Sequence, residues 1–361
     1  MRERIETLWS KEKTPIVIAG PCSAESEEQL RLSTRMLNDL GVKVIRAGIW
    51  KPRTRPNTFE GIGSPALQWI KDIKKDFDVQ FAIEVATAQH VELALKYGVD
   101  VLWIGARTTV NPFTVQEIAD SLKGIDIPVL VKNPINPDLA LWQGALERLS
   151  NAGITKLGAI HRGFSSHRKS KYRNEPLWQI PIELKRLYPE LPLIGDPSHI
   201  AGTRDLIESV SQKALDVNYD GLMIEVHPNP DKALSDAKQQ ITPATLEHLL
   251  NTLQVRSATS DNALFLSKLE QLRDKIDEID QELIQILRNR MEVVDELGMY
   301  KKDNNVTIFQ LNRWKEIMQS RGKWAEDAQL RREFIEDIYK IIHEESIKKQ
   351  TSISEATTTN K

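Results

Sequence analysis

Eight short β-prone runs, at 16–20, 42–48, 81–85, 101–105, 128–133, 157–163, 193–196 and 221–226, alternate with helix-like segments over roughly the first 250 residues. Gly, Pro or Asp bounds most of these runs, and helical spacing fills the gaps at 27–40, 88–97, 113–122, 137–152 and 204–215. Parallel strands cannot be joined by a tight turn; they need a crossover long enough to hold a helix. The alternation therefore predicts parallel strands with crossover helices. Eight such units in this length predict a closed (β/α)8 TIM barrel over 1–250. A doubly wound open sheet competes, but no G-x-G-x-x-G follows the first run to support it.

After Leu250 the pattern changes. Residues 251–262 are short, polar and serine-bearing, and are expected to be a linker. From Ala263, Leu269, Leu272, Ile276, Ile279, Leu283, Ile286, Val293 and Leu297 recur at three- and four-residue steps, predicting one helix of about 40 residues. A seam that long must be covered by other helices or by another chain. Two further helices are expected at 310–320 and 325–350, making an all-α three-helix domain over 263–350. The Ser/Thr-rich residues 351–361 are expected to be a disordered tail.

Composition excludes several classes. Lys and Arg number 49 against 51 Asp and Glu, so no global field draws the chain to nucleic acid or to an acidic membrane. A single cysteine rules out an internal disulfide framework and fits a reducing compartment. The charged start, Met1-Arg2-Glu3-Arg4, lacks an apolar signal core, and no apolar run approaches membrane-spanning length. A cytoplasmic location is expected.

Barrel enzymes assemble their sites at the C-terminal strand ends. There the sequence offers Cys22 after the first run, His199 after the seventh, Glu225 in the eighth and Asp236 just beyond it. Runs seven, eight and one are neighbours in a closed barrel, so these four side chains are expected to meet. Mixed S, N and O donors suit one divalent transition ion, Mn, Fe, Co or Zn. His161 and His227 are expected to orient neighbours or touch substrate instead. The other strand ends carry Arg46, Lys51, Arg53, Arg107, Lys132 and Arg162. A metal facing a cationic wall suits phosphorylated or carboxylated substrates. The basic stretch 162–173 then reads as a solvated rim of that anion site.

Gly20-Pro21-Cys22-Ser23, Lys51-Pro52-Arg53-Thr54, Ile104-Gly105-Ala106-Arg107, Asp196-Pro197-Ser198-His199 and Ile224-Glu225-Val226-His227-Pro228 resemble the motifs of type I beta 3-deoxy-D-arabino-heptulosonate 7-phosphate (DAHP) synthases. The sister octulosonate 8-phosphate synthases typically carry Lys-Ala-Asn-Arg where this chain has Lys51-Pro52-Arg53-Thr54. The resemblance implies metal-dependent condensation of phosphoenolpyruvate with erythrose 4-phosphate. It implies that Arg107, Lys132 and Arg162 hold phosphoenolpyruvate, with Arg46 and Lys51 beside them, while Arg53 and Thr54 reach the aldose phosphate. Lys51, Glu84 and His199 are the candidate proton-transfer groups.

In the long helix, Arg290 occupies a seam position where the pattern calls for an apolar residue. Lys301 lies eleven residues on, about three turns, and so shares its face. Arg273 lies seventeen residues before Arg290, about 25 Å along the axis, too far for one small ligand to touch both. If all three serve one anion, Arg273 comes from a second subunit, which predicts a homodimer with shared sites. The segment 262–350 resembles the all-helical, AroQ-type chorismate mutases. The resemblance implies rearrangement of chorismate to prephenate, with substrate held by Arg273, Arg290, Lys301, Gln310, Arg313, Ser346 and Gln350. Lys301 and Gln350 would face the ether oxygen. Gln310 stands where an Asp is common, and Trp314 where an acidic residue often follows the arginine. Feedback inhibition of the barrel by prephenate or chorismate is expected, as is the possibility of assembly beyond the dimer. The competing readings are an octulosonate synthase and a helical unit that only dimerises and senses ligand.

Overall fold

The computed structural model describes residues 15–51, 59–166, 170–257 and 259–355. Its contacts divide the chain into two compact units, Met1–Ala258 and Thr259–Lys361.

In the first unit, strands β1 (Ile16–Gly20), β2 (Val44–Arg46), β3 (Gln80–Val85), β4 (Val101–Ile104), β5 (Val129–Lys132), β6 (Leu157–His161), β7 (Leu193–Gly195) and β8 (Gly221–Glu225) pair in parallel, each with its sequence neighbour. β1 also pairs with β8, Ile18 opposite Met223, which closes the barrel. Helices cover the outside, and Phe81, Ile83, Leu102, Ile104 and Val131 pack outward against them. The opposite strand faces fill the lumen with Ile18, Val44, Ala82, Val101, Trp103, Leu130, Ile160, Ile194 and Met223.

Period-two alternation decides what stands above that apolar layer. Two residues beyond Val44, Ala82, Leu130, Ile160, Ile194 and Met223 come Arg46, Glu84, Lys132, Arg162, Asp196 and Glu225. The lumen is thus dry below and charged at its C-terminal mouth. At β1 the corresponding residue is Gly20, with φ 151°; a Cβ there would lie 2.2 Å from the Arg46 carbonyl oxygen. Only glycine lets β1 and β2 approach so closely at the rim.

The second unit consists of three helices, Ala263–Asp303, Leu311–Asp327 and Arg332–Glu355. The first matches the periodicity, but the other two boundaries differ from expectation. The break falls at 328–331, where Gln329 adopts a left-handed φ of 56°. The last helix also runs through 351–355, which the sequence suggested was tail. Thr351, Ser352 and Ser354 donate to the carbonyls of Ile347, Lys348 and Gln350, and Lys302 Nζ donates to the Ile353 carbonyl at 2.7 Å. The first three bonds lie within the helix and extend it, and the Lys302 bond ties its final turn to the long helix. In the first unit, a helix reaches Thr252, two residues into the expected linker.

Candidate active sites

Asp196-Pro197-Ser198-His199 is a helix start. Asp196 caps the short helix Pro197–Ala201, with proline in its first turn. The cap brings His199 back over Asp196: Oδ1 lies 3.1 Å from the His199 backbone nitrogen and 3.0 Å from Nδ1. Ser198 Oγ accepts from the Glu225 backbone N–H at 2.9 Å, tying this turn to β8. His199 Nε2 is left 3.7 Å from Glu225 Oε1.

Across β8 and β1, one donor atom each of Cys22, Glu225 and Asp236 lies within 4.8 Å of the others. Cys22 Sγ is 3.3 Å from Asp236 Oδ2. His199 adjoins this trio through Glu225 and is not part of the mutual cluster, because its ring is anchored on Asp196. The four expected donors therefore form a three-membered cluster with an imidazole at its edge. The set suits a divalent ion: soft and hard donors lie together, and among the described residues the buried Glu225 Oε1 makes no hydrogen bond and is matched only by charge. Burial and the charge of Glu225 push the Cys22 thiol up to about 12, against the pull of Lys51, whose Nζ lies 3.1 Å from Sγ. Burial would raise Glu225, but His199, Arg46 and Lys51 hold its carboxyl below the usual range.

The cations stand opposite. Arg46 Nη2 pairs with Glu225 Oε1 at 3.0 Å, and Lys132 Nζ pairs with Asp196 Oδ2 at 2.7 Å, all four side chains being buried. Arg46 and Lys132 both lie over the Trp103 ring, 5.2 and 5.6 Å from its centroid. Trp103 Nε1 in turn donates to Glu84 Oε2 at 3.1 Å. Burial would raise Asp196, but His199 and Lys132 hold it well below an ordinary carboxylate. Arg162 Nη1 donates to Asn174 Oδ1, and burial brings its guanidinium down to about 10. Arg107 is exposed in the short helix Ala106–Thr109. Arg53 and Thr54 lie outside the described residues.

His161 does not reach the mouth. It faces the helical layer, among Phe164, Trp178 and Tyr219, with the Tyr219 hydroxyl 2.9 Å from Nδ1. His227 sits 3.5 Å from Glu25 and accepts from the Asn229 backbone, so it orients the rim. Burial pushes His161 down to about 3. In the unfolded chain it would titrate near its ordinary value of about 6.5, so between those limits the unfolded state binds the extra proton. Stability from this residue is therefore present above pH about 6.5 and is lost as pH falls, by about 1.4 kcal/mol per unit until pH about 3. Denaturant unfolding between pH 5 and 7 is expected to show that excess slope in the wild type and to lose it in His161→Gln.

In the helical unit, Arg290, Lys301, Gln310, Arg313, Ser346 and Gln350 all line one cavity of about 340 Å³. Arg290 Nη1 donates to Ser346 Oγ at 2.8 Å, and Lys301 Nζ donates to the Ile308 carbonyl at 2.6 Å. Burial lowers both cations from their ordinary values. Gln310 is the N-terminal flank of the helix Leu311–Asp327, and its side chain makes no capping bond. Arg273 does not reach this cavity; it is exposed and pairs with Glu270 at 2.9 Å. Sequence reasoning missed Arg321 and His343 on the cavity wall and the rings of Trp314 and His343 packed 4.0 Å apart. These residues are brought in by helix packing, which leaves no spacing signal. At the barrel mouth Gln239 was missed, Asp196 was read only as part of the His199 motif, and Arg173 only as one charge of the basic rim 162–173, because their partners come from separate loops.

A closed parallel barrel with a thiol and two carboxylates facing buried cations, followed by three helices around a cationic cavity, defines a two-part enzyme of anionic substrates. Residues 4–260 match the DAHP synthetase I family, and residues 272–351 match chorismate mutase type II. The chain belongs to the DAHP synthetase I family and carries a chorismate mutase domain behind its synthase. A phospho-2-dehydro-3-deoxyheptonate aldolase from Thermotoga maritima is 33% identical over 238 residues, covering 66% of this chain and 68% of that protein. A 2-dehydro-3-deoxyphosphooctonate aldolase from Desulfotalea psychrophila is 28% identical over 267 residues, covering 68% of this chain and 91% of that protein. The crystal structure of the Thermotoga maritima DAHP synthase aligns with a TM-score of 0.60 at 31% identity, over 66% of this chain and 68% of that one. Transferase and isomerase domains in one chain make it a bifunctional shikimate-pathway enzyme. Among the described residues, no helix is long and apolar enough to cross a membrane.

Proposed function

We propose that the barrel condenses phosphoenolpyruvate with erythrose 4-phosphate to DAHP and phosphate, and that the helical unit converts chorismate to prephenate. One observation carries the first half: Arg46, buried at the mouth, has Nε and Nη1 without hydrogen-bond partners among the described residues. Buried unpaired guanidinium nitrogens are costly unless an anion completes them. Arg107, Lys132 and Arg162 hold the phosphate and carboxylate of phosphoenolpyruvate, with Arg46 and Lys51 alongside, and Arg53 and Thr54 take the aldose phosphate. Cys22, Glu225 and Asp236, with His199, would hold a divalent Mn, Fe, Co or Zn ion that supplies Lewis acidity to the aldehyde oxygen when bound. Lys51, Glu84 and His199 are the groups placed to move protons. The CH₂ carbon of the enol phosphate bonds to the aldehyde carbon, the aldehyde oxygen gains a proton, water adds at the former enol carbon, and inorganic phosphate leaves. Holding two anions in register supplies much of the rate.

The test offers both aldoses to metal-stripped protein with single ions added back. Erythrose 4-phosphate is expected to be consumed with phosphoenolpyruvate, and arabinose 5-phosphate is not; preference for the pentose would sink the reading. Adding prephenate is expected to slow this condensation, and an unchanged rate at saturation would remove feedback control from the proposal. The enzyme is proposed to be cytoplasmic.

The mutase reaction needs no nucleophile. Arg290 and Arg313 bind the two carboxylates, while Lys301 and Gln350 face the ether oxygen where negative charge grows. Arg273 completes the site from a partner subunit. The homodimer is supported by the long helix, whose Ile276, Ile279, Leu283 and Ile286 are all more than half exposed within one protomer. Ile279→Asp is expected to give monomers in sedimentation velocity and to lose chorismate turnover together with the dimer.

A further inference from the structure

Two adjacent glutamines, Gln239 and Gln240, are buried at the barrel rim although neither belongs to the donor cluster. A bridge between Val226 and Ile241 lays their segment beside the end of β8. Their amides serve different partners. Gln239 Nε2 donates to Glu225 Oε2 at 2.6 Å, while its Oε1 accepts from Arg173 Nη1 at 2.5 Å. Arg173 Nη1 also donates to Asp236 Oδ1 at 2.9 Å. Gln240 Oε1 accepts from the Cys22 backbone N–H at 2.9 Å, and its Nε2 donates to the Ser235 carbonyl at 2.8 Å.

Each donor residue is therefore gripped by an atom that a metal would not use. Glu225 is held by Oε2, Asp236 by Oδ1 and Cys22 by its backbone. On the opposite side Cys22 Sγ meets Asp236 Oδ2 at 3.3 Å and Lys51 Nζ at 3.1 Å, and Glu225 Oε1 meets Arg46 Nη2 at 3.0 Å; a bound divalent ion would take the place of these cations as the partner of the three atoms. We propose that Gln239 and Gln240, together with Arg173, are positioning residues that aim these three atoms at one divalent ion. The inference rests on the metal-dependent reading above. An amide fits position 239 because it donates at one end and accepts at the other. Its orientation is fixed, with N–H toward the Glu225 carboxylate and oxygen toward the Arg173 guanidinium. A glutamate there would set two anions in contact, and a leucine would leave the Glu225 carboxylate held only at Oε1, by Arg46. Outer partners of this kind orient ligands and tune affinity.

The experiment titrates metal-free, full-length protein with cobalt(II). It reads the thiolate-to-cobalt charge-transfer band and the Kd from chelator competition. Gln239→Leu and Arg173→Met are each expected to weaken cobalt binding about 10- to 100-fold. The double variant is expected to fall little below the weaker single, because both act through one hydrogen-bonded chain. Arg173 is nearly half exposed, so Arg173→Met keeps the test alive should Gln239→Leu fail to fold. Cobalt affinities within twofold of wild type in the folded variants would overturn the positioning role. Wild-type protein that binds cobalt without a sulfur band would instead overturn the metal reading, and the positioning role with it.

Discussion

Lys132→Met is expected to cut DAHP formation about 10²- to 10³-fold and to destabilise the barrel by about 3–5 kcal/mol. The ammonium touches Asp196 at 2.7 Å where both side chains are shut from solvent, so its removal strands a buried carboxylate. That carboxylate also caps the Pro197–Ala201 helix and anchors His199, so its rearrangement spreads to the cluster of Cys22, Glu225 and Asp236. The double variant Lys132→Met, Asp196→Asn separates the two effects. Asparagine still caps the helix and carries no charge, so urea unfolding is expected to recover most of the lost stability. Turnover is expected to stay low, because the ammonium proposed to hold phosphoenolpyruvate is still missing. A single variant that unfolds like the wild type would mean that Asp196 is protonated in the folded state.

Arg290→Ala is expected to lower kcat/KM for chorismate by about 10²- to 10³-fold, followed by loss of chorismate absorbance. The guanidinium interrupts an apolar seam and is fixed by Ser346 in the cavity wall, so it is poised for a carboxylate. Arg290→Lys is expected to recover only part of the activity, since an ammonium cannot form the planar two-point contact. Both variants are expected to keep their helical circular dichroism, because the position is only partly buried. Unaltered chorismate turnover in Arg290→Ala would make the helical unit a dimerisation and sensing module without chemistry of its own.

Much of the barrel site was legible because barrel topology converts sequence position into spatial position. A residue two places past an inward-facing apolar residue must rise into the mouth, which is why Arg46, Lys132 and Glu225 were readable from strand ends. Loop residues obey no such rule. Arg173 and Gln239 arrive from separate connections; charge marked the stretch 162–173 as a rim but not the contact that Arg173 makes, and nothing marked Gln239. His199 shows the limit at finer scale, since its place after β7 was evident but its tether to Asp196 was not. In the helical unit, the three-to-four spacing fixed the face shared by Arg290 and Lys301, and helix length kept Arg273 off that cavity. The boundary near 328 was missed because a left-handed Gln329, not a glycine or proline, makes the turn.

What the chain alone determined were the elements and their order, since strand alternation, helical spacing and N-caps such as Asp196 and Asn262 act between near neighbours. It also determined which charges would face inward. What only the tertiary structure decided was how those charges are shared: Arg46 with Glu225, Lys132 with Asp196, and Arg173 with both Asp236 and Gln239. Such pairings depend on distances of about 3 Å between groups far apart along the chain. They are settled by packing, because a buried ion without a partner is costly and the partner is brought near only when the strands and loops of the barrel come together.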